Sequence, residues 1–246
     1  MAAMSKTADE RKLTFTSDGF RLSGTLHLPE NRRPALIIGS HGLLSTGNSP
    51  KQIALATRCV DAGMAYFRFD HRGCGESEGS RAVAADFEAR CRDLRHAMAF
   101  LRKHGDFGSK TGLFGSSLGG AVCLSVAAEY PVQALVTVAA PINSRSLIEA
   151  AGGVLPEGLS AESVLSPRFR FDLSDRLSSI NHLLIFHGEN DSVVPVAHAR
   201  QLFEKAGDPK KLVVQEGGDH VMSNPLHQNH FMTETLLWFS TCLQAD

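Results

Sequence analysis

The sequence has no apolar run of about 18 residues, no CxxC pair, no excess of either charge, no internal repeat and no low-complexity tract. Each absence closes a class of function. Without the long run, no transmembrane helix is expected. The five cysteines, Cys59, Cys74, Cys91, Cys123 and Cys242, are scattered and odd in number. That argues against a disulfide framework or a zinc site and suggests a reducing compartment. A net charge of −1 gives no electrostatic case for nucleic acid or an anionic membrane as the main partner. The opening "MAAMSKTADERK" is polar and lacks an apolar h-region, so it does not read as a secretory signal and a cytoplasmic location is expected. With no linker in view, residues 1–246 are expected to form one domain. Function must come from a site.

What is present is a rhythm. "KLTFTSDGFRLSGTLHLP" alternates apolar and polar residues on both sides of Asp18-Gly19, a hairpin signal. From Ala35 onward, short continuous apolar runs alternate with stretches of helical period. The runs are "ALIIGS", "AYFRFD", "KTGLFG", "ALVTVAA", "HLLIFHG" and "KLVVQEG". The helical stretches are 50–62, 82–104, 117–130, 195–206 and 225–243. Continuous apolar strands are those buried on both faces of a parallel sheet, and their alternation with helices predicts an α/β doubly wound fold. Residues 141–180 break the rhythm, being far longer than an ordinary connection. They read either as a small cap over the C-terminal edge of the sheet or as a crossover helix with a long loop.

"GLFGSSLGG", residues 112–120, lies where a strand should turn sharply into a helix. A residue on such a turn takes strained backbone angles, and its neighbours two before and two after are forced close. Counted from Ser117 those neighbours are Gly115 and Gly119; counted from Ser116 they are Phe114 and Leu118. The G-x-S-x-G pattern therefore selects Ser117, and Ser116 fills the turn. A serine nucleophile needs a histidine base, and the base needs a carboxylate to orient it. His220, in "VVQEGGDHVMSN", and Asp191, in "LLIFHGENDSVVP", fall on loops at the same sheet edge. Glu189 is the alternative acid, while Asp219 is too close in sequence to reach the His220 ring well. His187 reads as a structural residue ending a strand, and His227 and His230 as solvated or packing residues of the last helix. Backbone amides of Leu118, after the nucleophile, and of Leu43, in "IIGSHGLLSTGNSP", are expected to form the oxyanion hole.

With these pieces the chain resembles the α/β-hydrolase superfamily. Within it, the chain is most similar to small bacterial esterases grouped with serine aminopeptidases, cinnamoyl (feruloyl) esterases and monoacylglycerol-lipase-like enzymes. The segments that carry the resemblance are "SHGLLSTGN", "FRFDHRGCGESEG", "GLFGSSLGG", "HGENDSVVP" and "GGDH". It implies an eight-stranded, mostly parallel sheet with an antiparallel N-terminal hairpin, a small cap insertion at about 141–180, and no metal or organic cofactor. It also implies that Asp70 to Ser77 form a structural turn, with His71 and Arg72 as scaffold or pocket rim. Relatives commonly carry histidine where this chain has Ser116. Leu44, Leu147, Ile148, Leu155 and Phe169, with Leu43 and Val154, are candidates to line the pocket. Arg145, Arg168 and Arg170 are candidates to meet an acidic group.

The expected reaction is hydrolysis of a small or medium carboxylic ester through an acyl-enzyme on Ser117. A thioesterase or a short-peptide or amide hydrolase would use the same parts, and a non-catalytic binding protein of the same fold is the alternative from another class. The expected partner is a small-molecule ester, with no nucleic acid and no membrane span; the oligomeric state, a homodimer included, is open.

Overall fold

The computed structural model describes residues 9–145 and 166–243. Strands β1 (Asp9–Ser17) and β2 (Phe20–Leu28) pair antiparallel across Asp18-Gly19. Both turn residues have positive φ, 48° and 84°, the backbone that a two-residue hairpin needs to match the twist of its strands. The remaining strands are β3 (Leu36–Ser40), β4 (Ala65–Phe69), β5 (Thr111–Ser116), β6 (Ala134–Val138), β7 (Leu183–Gly188) and β8 (Lys210–Gln215). They form one eight-stranded sheet in the order β1-β2-β4-β3-β5-β6-β7-β8. From β4 to β8 every pairing is parallel, and β2 meets β4 antiparallel. The mostly parallel sheet with an antiparallel start is the architecture expected from the sequence.

Helices α1 (Pro50–Asp61) and α5 (Pro225–Leu243) pack on one face, through Leu55, Ala56, Cys59, Phe231 and Phe239 against Ile37, Phe114 and Phe186. Helices α2 (Phe87–His104), α3 (Leu118–Glu129) and α4 (Ala197–Lys205) cover the other, where Leu94, Val122 and Leu202 join the larger core. Every residue of α3 from Leu118 to Ala127 is buried, as its lack of a polar stripe requires. Helix α2 begins later than the apolar period suggests. Asp86 accepts a capping bond from the Ala89 amide at 2.9 Å, and a separate 3-10 turn at Arg81–Val83 precedes it. A side-chain cap on the third amide is what ends the non-helical approach.

Of the 141–180 stretch, 146–165 lies outside the described residues, and with it Leu147, Ile148, Val154 and Leu155. Its two described ends meet each other. Asn143 and Asp172 form an isolated antiparallel bridge, the Ser144 amide donates to Phe171 O at 2.9 Å, and Phe171 stacks on Phe87 at 4.1 Å. Because the order within the sheet puts the ends of β3, β4, β5, β7 and β8 at one edge, the loops after them share a single rim. That rim carries the candidate site.

Candidate active site

Ser117 sits between β5 and α3 with φ 52° and ψ −126°, a conformation that costs a non-glycine residue on the order of 1–3 kcal/mol. The surroundings over-determine it. The Ser117 amide donates to Val138 O at 2.8 Å, and its carbonyl accepts from Gly120 N at 2.8 Å. A Cβ at Gly115 would lie 2.4 Å from Gly119 O, and one at Gly119 would lie 2.2 Å from Ser40 O. The two glycines of G-x-S-x-G are thus a steric requirement of the turn. The consequence is that Ser117 is lifted off the sheet and left partly exposed.

Three distant side chains meet there. Ser117 Oγ donates to His220 Nε2 at 3.2 Å, and His220 Nδ1 donates to Asp191 Oδ2 at 2.8 Å. A carboxylate can only accept, which places the imidazole proton on Nδ1 and leaves Nε2 free to take the serine proton. Asp191 is buried, and its Oδ1 accepts from the Val193 and Val194 amides at 2.9 and 2.7 Å. Burial alone would raise its pKa. Hydrogen bonds from His187 and His220, the nearby His220 charge and the Val194 amide outweigh that and hold the carboxyl well below the usual carboxylate range. Glu189, the alternative acid, is exposed and accepts from the Gly217 amide at 3.2 Å instead. Asp219 turns to Ser223.

The Leu43 and Leu118 amides donate to no acceptor among the described residues. Leu118 opens α3, where a helix leaves its first amides unpaired. A Cβ placed on Gly42 would lie 3.4 Å from Ser117 Cβ, so the loop before Leu43 runs against the serine. Ser117, His220 and Leu43 line one cavity of about 600 Å³ together with Phe114, Met222, Phe231 and Met232. Leu44, 47% exposed, and Phe169, buried against Phe171, are not on its wall. Arg145, Arg168 and Arg170 are exposed.

Two groups of residues have partners that the sequence reading did not assign. His187 ends β7 as expected, but its Nε2 is 3.3 Å from Asp191 Oδ2 while donating to Val194 O at 2.7 Å. It therefore supports the acid, and the i,i+4 spacing to Asp191 was the available signal. The second group is a buried polar block behind the Leu43 loop. Arg72 grips Asp93 Oδ1 through Nε at 2.9 Å and Nη2 at 2.6 Å. Arg90, fully buried, donates to His41 O at 3.1 Å. The His71 amide donates to His41 Nε2 at 3.1 Å, and His41 Nδ1 donates to Gly42 O at 2.8 Å. These bonds hold the carbonyls of His41 and Gly42, one on each side of the Gly42 Cα. His71 and Arg72 are scaffold, not pocket rim: both are buried, and neither lines the cavity.

Residues 31–180, more than half of the chain, match the family model of the serine aminopeptidase S33 hydrolases. The chain belongs to this family. The matched segment holds Ser117 and the Leu43 loop and ends before Asp191 and His220. YfhR, an uncharacterized protein of Escherichia coli K12, is 29% identical over 217 residues, 83% of this chain and 70% of YfhR. Monoglyceride lipase of Mus musculus is 35% identical over 116 residues, 47% of this chain and 37% of the lipase. Among solved structures, the esterase domain of a Rhodothermus marinus protein superposes with a TM-score of 0.74 at 26% identity, over 96% of this chain and 99% of that one. An esterase from Pyrococcus furiosus reaches a TM-score of 0.81 at 19% identity, over 96% of this chain and 92% of that one, which speaks to the fold alone. This S33-family protein is a hydrolase with the α/β-hydrolase fold. No helix among its described residues is long and apolar enough to cross a membrane.

Proposed function

We propose that the protein is a serine hydrolase that cleaves carboxylic esters of small or medium size. The observation that carries the reading is the continuous relay from Ser117 Oγ through His220 to Asp191, at 3.2 and 2.8 Å, opening on a cavity. His220 takes the Ser117 proton as Oγ attacks the ester carbonyl. The Leu43 and Leu118 amides receive the developing oxyanion, each contributing on the order of 3 kcal/mol to lowering the barrier. His220, now doubly protonated and facing Asp191, protonates the departing alcohol. Water then repeats the sequence on the acyl-enzyme and restores Ser117. The apolar walls at Phe114, Phe231 and Met232 suit an acyl chain, and the esterases among the structural neighbours favour an ester over an amide.

A fluorophosphonate probe tests the serine, and a panel of p-nitrophenyl esters read by kcat/KM tests the substrate class. Labelling of the wild type that Ser117→Ala abolishes, with turnover of short and medium acyl chains, is the expected result. Wild-type protein that neither reacts with the probe nor turns over any ester overturns the enzyme reading and leaves a binding protein. An acyl-thioester series matched to the esters separates a thioesterase.

A further inference from the structure

The cavity beside Ser117 has one charged wall. Lys51, the second residue of α1, lines it, and no aspartate or glutamate does so among the described residues. Lys51 makes no hydrogen bond or ion pair within the described chain. It feels Asp219 only at longer range, and the Asp219 carboxylate is already occupied by the Ser223 amide at 2.8 Å and the Ser223 hydroxyl at 2.5 Å. Burial pulls the Lys51 pKa down to about 8, against the pull of Asp219, which leaves the ammonium mostly charged near pH 7.

A second donor stands next to it. Gln52 is 1% exposed and lines the same cavity. Its Oε1 is taken by the Tyr66 hydroxyl at 2.5 Å, while its Nε2 is buried with no partner. A buried amide N–H without an acceptor is unfavourable and favours an acceptor brought beside it. The helix end agrees in sign: Ser49 makes no capping bond and the first turn of α1 carries no acid, so its positive end is uncompensated.

Resting on the serine-esterase reading, we infer that this wall is a carboxylate subsite, and that the preferred substrate is an ester carrying a free carboxylate on its acid or its alcohol part. Lys51 supplies the charge, with the acceptor-free amide of Gln52 next to it on the same wall. One ammonium and one amide suit a monoanion, so a carboxylate fits better than a phosphate dianion. The subsite sets specificity and takes no part in bond breaking.

Two matched pairs test it, one for each side of the ester: mono-p-nitrophenyl adipate against p-nitrophenyl hexanoate, and 4-acetoxybutyrate against butyl acetate, followed by pH-stat. In the wild type the anionic member of at least one pair is expected to have a kcat/KM about tenfold above its neutral partner, the gain lying in KM. Lys51→Met brings that ratio to one or below, and Lys51→Arg retains part of it. Equal or better use of the neutral member in both pairs overturns the subsite. So does a ratio that Lys51→Met does not move, including the case where that variant only melts lower because Lys51 merely balances Asp219. Failure of the esterase reading is separately visible, as loss of all turnover and of fluorophosphonate labelling. The subsite is then read by calorimetry of monomethyl adipate on Ser117→Ala, where binding lost in Ser117→Ala/Lys51→Met upholds it and no binding overturns it.

Discussion

Ser40, His71 and Asp93 repeat the bonding of Ser117, His220 and Asp191. Ser40 Oγ meets His71 Nε2 at 2.9 Å, and His71 Nδ1 meets Asp93 Oδ2 at 3.4 Å. Asp93 too is held well below the usual carboxylate range. Burial opposes this, and hydrogen bonds from His71, Arg72 and Ser17 overcome it. Yet Ser40 and His71 are fully buried, whereas the His220 side chain is 19% exposed and Ser117 faces the cavity. Ser40 lies on extended backbone at the end of β3, and only Ser117 sits on a strained turn beside unpaired amides. A serine, a histidine and an aspartate in series are therefore not sufficient. What sets the Ser117 series apart from the buried one is access, backbone strain and neighbouring amides without an acceptor.

The largest expected effects set one chain against the other. Ser117→Ala should lower kcat by on the order of 10⁴–10⁶, whereas Ser40→Ala should keep fluorophosphonate labelling and lose about 1–3 kcal/mol of stability from the unpaired His71 nitrogen. Loss of labelling in Ser40→Ala with an unchanged melting temperature would reverse the two roles. The acids should divide the same way. Asp191→Asn presents the wrong partner to His220 Nδ1 and should cost on the order of 10⁴ in kcat with little change in denaturant midpoint. Asp93→Asn leaves the Arg72 charge with only the partly exposed Asp18 as its carboxylate partner and should cost about 3 kcal/mol of stability.

Acid should sharpen the contrast further. Burial and the Arg90 charge push the His71 pKa down to about 4 from 6.5, with the Asp93 bond opposing them. The unfolded chain therefore binds a proton between those values that the folded chain refuses. Stability is full above pH 6.5 and should fall by about 3 kcal/mol toward pH 4 on account of His71. Denaturant midpoints across that window check it, and His71→Gln should flatten the curve. The smallest effect is at His187. His187→Phe removes the imidazole N–H held 3.3 Å from Asp191 Oδ2 and should lower kcat/KM about tenfold; a fall in melting temperature alone would make His187 purely structural.

Ser117, Asp191 and His220 were legible because each follows a strand of continuous apolar residues, so chain order and strand direction already bring them to one edge. The glycine spacing chose between two serines because the steric demand is local. Beyond the scaffold reading of His71 and Arg72, the bonding of the buried block was not legible, since its members come from β1, the end of β3, the loop after β4 and α2, far apart in sequence. Arg90 and Asp93 did leave a trace: charges three residues apart among Ala89, Cys91, Leu94 and Ala97 lie on a helix face that should be apolar. Lys51 left none, as a lysine after a helix-opening proline looks like any solvated residue. Leu44 stays 47% exposed and off the described cavity, and Phe169 is buried against Phe171 instead. Hydrophobicity reports that a side chain seeks burial and does not say which core receives it.

Residues 40 to 43 belong to both chains at once. Ser40 closes the hidden one, and three positions later Leu43 lines the cavity of the open one, with His41 clamped by His71 and Arg90 between them. So short a span has almost no slack, and a disturbance in the interior arrives at the cavity beside Ser117 as misalignment instead of being absorbed. Mild acid or heat should therefore silence this protein before it visibly melts.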